Sequence, residues 1–185
     1  VGPMLSLGGR GQLGGRPLDL SAERGVAGPD GLRPLWVRLT AGDMHLTFDG
    51  AQLDDDVAGR LGLDGVAAGQ PLAVEARLTY GPDELALSDV AARLGEGRVV
   101  GVVVASLGAG ARQVDLLALP AQLLDLPPDV VVNHDLGVER LRWRGEWLRH
   151  LRLSAIAEGG ALSLSRAAAD LPGATRLAAD GVLRR

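Results

Sequence analysis

The chain has 185 residues, 46% hydrophobic and 23% charged, with 27 glycines and only 3% aromatics, a composition that excludes a disordered chain. Its net charge of −4 leaves no basic footprint for nucleic acid. It has no cysteine, which excludes disulfides, thiolate metal sites and a cysteine nucleophile.

Every basic residue is arginine, and outside Arg140–Arg152 the arginines are interleaved with Asp and Glu. The apolar content is nearly all Leu, Val and Ala, so the large rings that anchor compact cores and ligand pockets are missing. No run approaches the ~20 apolar residues of a membrane-spanning helix. The longest, Val99 to Ala105, suits a buried strand. The opening Val1-Gly-Pro-Met-Leu-Ser-Leu reads as a strand entered midway, in a fragment of a longer chain.

Along the chain, period-two alternation recurs. Gly9-Arg-Gly-Gln-Leu-Gly14 matches G-x-G-x-x-G, but Pro17-Leu-Asp-Leu after it reads as a strand, so a glycine-rich turn is expected instead of a dinucleotide loop. Leu35, Val37 and Leu39 alternate with Trp36, Arg38 and Thr40; Met44, Leu46 and Phe48 alternate with His45, Thr47 and Asp49. Ala41-Gly-Asp43 between them predicts an antiparallel hairpin of 34–40 with 44–50. Residues 51–63 are read as a turn or two of helix, weakened by Gly59 and Gly62. Asp54-Asp-Asp56 lacks the spacing of a cation loop and reads as a solvated acidic turn.

Leu72 to Tyr80, Leu85 to Val90 and 98–107 read as further strands, the first two joined at Gly81-Pro-Asp-Glu84. A second short helix is expected over 118–125, followed by a break at Pro127-Pro128 that divides 1–126 from 127–185. Strands then follow at Val130–Asn133, Val138–Arg144, Leu148–Ala157, Ala161–Ala169 and Thr175–Leu183, with turns at Gly159-Gly160 and Pro172-Gly173. The fold class is therefore all-β: an extended, curled, mostly antiparallel sheet with one or two short helical turns.

A sheet with one apolar face must bury it. Two arrangements remain open: a sandwich, or a curled sheet whose apolar side forms a groove able to shelter acyl chains. The candidate lining is Val37 and Leu39, Leu46 and Phe48, Val74, Ala76 and Leu78, Val102, and Leu151 with Leu153. Trp143, Trp147 and the arginines of Arg140–Arg152 are read as a polar strand face or as a contact with anionic head groups, with Arg142, Arg144 and Arg149 as the candidates.

No G-x-S-x-G, H-E-x-x-H or phosphate-binding loop is present, so no catalytic residue, cofactor or metal is expected. His45, His134 and His150 lack ligand spacing to one another and are read as surface residues, His134 at a turn-like point.

Several phrases resemble the AsmA family: Gln70-Pro-Leu-Ala-Val-Glu-Ala-Arg-Leu-Thr-Tyr80, Leu85-Ala-Leu-Ser-Asp-Val-Ala-Ala-Arg-Leu-Gly95 and Gly97-Arg-Val-Val-Gly101. Residues 114–126 and 141–153, Leu171-Pro-Gly-Ala-Thr175 and Leu177 to Leu183 resemble the steps that follow, and Gly8 to Leu20 the step upstream. The family's N-terminal membrane helix is missing, and its polar insert is reduced to the stretch around Pro127-Pro128. The resemblance implies a periplasmic protein anchored to the inner membrane by that missing helix. It also implies kinship with bridge-like lipid transporters, in which phospholipid acyl chains pass along a hydrophobic β groove, in support of outer-membrane assembly. The alternative is an adaptor sandwich that influences protein insertion into the membrane without binding lipid. Neither reading is enzymatic.

Overall fold

The computed structural model describes residues 4–13, 16–67, 69–107, 129–143 and 146–184. The strands are β1 (Leu5–Leu13), β2 (Arg16–Arg24), β3 (Arg33–Ala41), β4 (Met44–Leu53), β5 (Asp56–Ala67) and β6 (Gln70–Tyr80). They continue as β7 (Glu84–Leu94), β8 (Gly97–Leu107), β9 (Val130–Trp143), β10 (Glu146–Glu158), β11 (Ala161–Leu171) and β12 (Thr175–Arg184). All twelve form one sheet, ordered in space as in the chain, with every neighbouring pair antiparallel. The sheet is curled and unclosed, and β1 and β12 are its two edges.

The predicted hairpins form at the predicted turns. Val37 pairs with Phe48 and Leu39 with Leu46 across the turn at Gly42–Asp43. At Gly159–Gly160 both residues have positive φ (54° and 77°), the type I′ geometry whose twist matches a two-residue hairpin. The 3-10 turn Pro172–Ala174 joins β11 to β12. The predicted helix at 118–125, the break at 127–128 and the 126/127 boundary lie outside the described residues.

Three expectations are corrected. The glycine-rich turn expected over Gly9–Gly14 is strand wherever it is described, since Gly9 to Leu13 belong to β1 and pair with β2. Residues 51–63 hold no helix: β4 runs to Leu53, Asp54–Asp55 turn, and β5 follows. Leu53, Val57 and Leu61 fall at helical spacing, but Gly59 occupies one of the inward positions of a strand and so hides the period-two signal. Val130–Asn133 and Val138–Arg144 are not separate strands. Asn133-His134-Asp135 looks like a polar turn, yet β9 passes through it, paired with β8 on one side and β10 on the other.

Four register irregularities shape β7–β12. Extra residues fall at Asp89 in β7, Glu139 in β9, His150 in β10 and beside Ser165 in β11. Asp89 and His150 adopt φ of 52° and 51°, left-handed values uncommon for residues other than glycine. A bulge bends its strand and resets the alternation. It explains why the apolar residues read Leu85-x-Leu87-x-x-Val90 in β7 and Leu162-x-Leu164-x-x-Ala167 in β11. Without the extra polar residue, half of each strand would turn its apolar side chains outward.

Paired residues share a face, so the register sorts the side chains. One row on the apolar face runs Leu20, Leu39, Leu46, Leu63, Val74, Ala92, Val99, Val138, Leu151 from β2 to β10. Another runs Leu85, Ala105, Val132, Ala157, Leu162, Leu183 from β7 to β12. Every buried side chain among the described residues lies on this face: Phe48, Ala76, Ala105, Val130, Val132, His134, Ala155, Ala157 and Ala169. Among the described residues no second layer packs on either side, since their substantial contacts run only between consecutive strands and from β10 to the 3-10 turn. Burial confined to one face of a single layer means that its side chains converge on the inside of the curl. The apolar face is the concave one.

Candidate functional site

The concave apolar face is the largest feature the fold builds. Across twelve strands at ~4.8 Å spacing it extends roughly 50 Å. Its curl needs small residues where backbones approach. Gly50 and Gly59 face each other across β4–β5, and the Phe48 ring lies over both. A Cβ on Gly59 would stand 2.5 Å from the Asp49 carbonyl oxygen and 2.7 Å from Phe48 Cζ. The chain's single phenylalanine thus covers two exposed backbones, a pairing known to rescue glycine in sheets. Gly101 is similarly close to the Asp135 carbonyl on β9.

The curl is tightest between β8 and β11, where Val132 and Ala157 are 2% and 0% exposed, with Leu85, Val103 and Leu162 packed around them. Over β2–β7 the face is mostly half-buried, with Phe48 and Ala76 buried, and along β1 and β12 it is exposed. Val37, Leu39, Leu46, Phe48, Val74, Ala76, Leu78, Leu151 and Leu153 share it, linked by register across the eight strands from β3 to β10.

Val102 does not join them. It pairs with Asp135 on the opposite, convex face and is 37% exposed. The β8 run Val99–Ala105 is apolar on both sides, so alternation could not assign it; Val99, Gly101, Val103 and Ala105 are the inward members. Arg149 also lies on the convex face, opposite Arg140 and Asp170. Arg142 is in β9, paired in register with Trp147, and Arg144 lies outside the described residues. Trp147 carries the Arg140 guanidinium 5.5 Å from its ring centroid, on the convex side.

Three features were not foreseen. His134 is not a surface residue: it is 8% exposed, on the concave face between Val103 and Ala155. Desolvation there holds its imidazole below its ordinary pKa of 6.5. The register would have found it, since it lies two residues from Val132 in a strand. Second, Arg24 and Gln52 meet at one end of the concave face, Arg24 donating to Gln52 Oε1 at 3.3 Å while its buried Nε has no partner. Tyr80 stands at the same end, opposite Val57. Third, His150 Nδ1 donates to Asp170 Oδ2 at 2.8 Å, and Arg176 Nε donates to Asp170 Oδ1 at 3.1 Å. The His150 hydrogen bond, then that of Arg176, lowers the pKa of this carboxyl below its ordinary value. The imidazole is 75% exposed on an open surface depression, so the arrangement is a surface ion-pair cluster and lacks the enclosure of a general-base site.

His134 sets a pH dependence. Above about pH 6.5 the imidazole is neutral in folded and unfolded chains alike. As pH falls through 6.5 the unfolded chain takes up the proton first, so stability drops until the lowered folded pKa is passed. The urea midpoint should therefore fall between pH 7.5 and pH 5, and His134→Leu should flatten that fall. An equal fall in the variant would assign the slope to other groups.

Among the described residues no three His, Asp or Glu side chains cluster to hold a metal, and no helix is long and apolar enough to cross a membrane. Comparison with family models, curated proteins and solved structures found no significant match to this chain.

Proposed function

We propose that this chain is a non-catalytic segment of an AsmA-like envelope protein whose concave face holds phospholipid acyl chains in the periplasm and passes them along the sheet, supporting outer-membrane assembly. The observation that carries the reading is the apolar face that spans all twelve strands and that no second layer of the described residues covers. Soluble chains rarely leave contiguous apolar surface beyond a few hundred Å² open to water, and larger patches mark binding sites. The face is also long enough. Its ~50 Å compares with ~15 Å for one acyl layer, half of a ~30 Å hydrocarbon core. Arg24, Gln52 and Tyr80 give one end the polar character that a head group requires, while Leu39, Leu46 and Val74 line the apolar interior.

The test is lipid retention. The purified chain is incubated with vesicles of phosphatidylethanolamine and phosphatidylglycerol, re-isolated, and its bound lipid measured by mass spectrometry. Lipid should be retained by the parent. It should fall roughly tenfold in Leu46→Asp or Val74→Asp, because a carboxylate in the groove costs several kcal/mol against acyl chains. Both variants should keep the strand signal in circular dichroism, since their positions are only half-buried. A parent that never takes up lipid, or variants that unfold outright, would favour an adaptor that needs this face for its own packing.

A further inference from the structure

Two arginines stand side by side at one end of the concave face. Arg24 closes β2 and pairs with Leu35, while Arg33 opens β3 and pairs with Gln52. Leu35 and Arg33 lie two residues apart on the same face, so Arg24 and Arg33 are diagonal neighbours at about 7–8 Å. The Arg24 side chain crosses β3 to reach Gln52 on β4, which brings its guanidinium alongside Arg33.

Among the described residues nothing balances this charge. Neither arginine forms an ion pair there. The two rows of the face that they open, Arg24–Leu35–Gly50–Gly59–Leu78 and Arg33–Gln52–Val57–Tyr80, hold no carboxylate. Asp30, in the loop between the two arginines, turns its Oδ1 onto the Leu32 N–H at 3.1 Å. Gln52 gives Arg24 one neutral acceptor and donates its own Nε2 to the Asp54 carbonyl at 2.8 Å. Arg24 Nε is closed to water and has no partner. Buried donors are nearly always paired, so an orphan beside a second cation marks a place for an acceptor.

Two like charges held together with an unused donor call for an anion. Phosphate suits them, because one edge of a guanidinium takes two of its oxygens at once. The neighbouring surface decides what carries the phosphate. Leu35 lies opposite Arg24, and the next row inward is Ala22, Val37, Phe48 and Leu61. An anion at the arginines therefore has apolar surface on one side, as the head of an amphiphile requires. The backbone is tied there, with Gly25 N–H donating to the Pro34 carbonyl at 2.8 Å across the neck of the loop.

We propose that Arg24 and Arg33 clasp the phosphate of a phospholipid head group and set its acyl chains along Leu35, Val37 and Phe48. The phosphate site stands on the two arginines; its assignment to a lipid rests on the acyl-chain reading of the face.

Three probes separate the parts: dihexanoyl phosphatidylglycerol below its micellar concentration, dihexanoylglycerol, and inorganic phosphate, each titrated calorimetrically into the purified chain. The parent should bind the phospholipid at least roughly tenfold more tightly than either of the others, since it alone joins the charge to buried methylenes. Arg24→Gln and Arg33→Gln should each weaken the phospholipid about tenfold and leave dihexanoylglycerol unchanged. Arg38→Gln, on the exposed convex side of β3, should match the parent. Arg33 makes no hydrogen bond among the described residues, so its variant should keep the parent's strand signal and Tm. Unchanged phospholipid affinity in both arginine variants would overturn the site. Inorganic phosphate bound as tightly as the phospholipid, and lost in the same variants, would keep the site and overturn its assignment to a lipid. Dihexanoylglycerol bound as tightly as the phospholipid would overturn the site and leave the groove. Binding of none of the three would also overturn the site, and vesicle-lipid retention by the parent then decides separately whether the groove reading survives.

Discussion

Val132→Asp should cost about 3 kcal/mol or more and remove cooperative unfolding of the β8–β11 region, read as a lowered urea midpoint. Val132 is 2% exposed, between Ala105 and Ala157 in the tightest part of the curl. A carboxylate there has no cationic partner within its row and must be ionised without water or protonated at a cost in pH dependence. Val132→Ala removes two methylene equivalents at about 0.8 kcal/mol each and should cost roughly 1.6 kcal/mol, which separates lost packing from buried charge. The contrast with Val74→Asp matters most. Both positions are on the concave face, but only Val132 lies where curvature alone dries the surface. A similar loss at both positions would mean that the whole face is a packed core.

Gly59→Val should lower stability by about 2–3 kcal/mol, seen as a fall of several degrees in Tm. Valine's Cβ would meet the Asp49 carbonyl, the Gly50 backbone and the Phe48 ring at 2.5–2.7 Å, and only the ring can turn aside. Turning it uncovers Gly50 and the backbone beneath. Gly9→Ala is the control: it lies on the same face, in β1, and its Cβ would meet nothing within 4 Å. It should be neutral or slightly stabilising, because alanine restricts the unfolded chain. Equal losses at both positions would show that the cost belongs to strand glycines in general and owes nothing to the close approach of β4 and β5.

Most strands were legible because one-sided burial imposes period two, and Leu35–Thr40, Met44–Asp49 and Leu72–Tyr80 carry it without interruption. Legibility failed at identifiable residues. Gly59 fills an inward position with no side chain, so β5 looked helical. Asn133-His134-Asp135 placed three polar residues in succession, so an inward histidine looked like part of a turn. Val102 sits in a run apolar on both faces, where alternation has nothing to count. The Leu85-x-Leu87-x-x-Val90 phrase was visible as a pattern, but its meaning is a bulge at Asp89, which appears only when β6 and β8 are paired beside it.

The sequence by itself determined the all-β character, the hairpin turns and most of the residues that share the apolar face, because each of these depends on neighbours a few positions apart. The tertiary structure decided that one sheet curls over its own apolar face and that, among the described residues, no second sheet covers it. That outcome rests on bulges and glycine contacts between strands, where an extra convex residue lengthens one side of the sheet and a missing Cβ lets the other side close in.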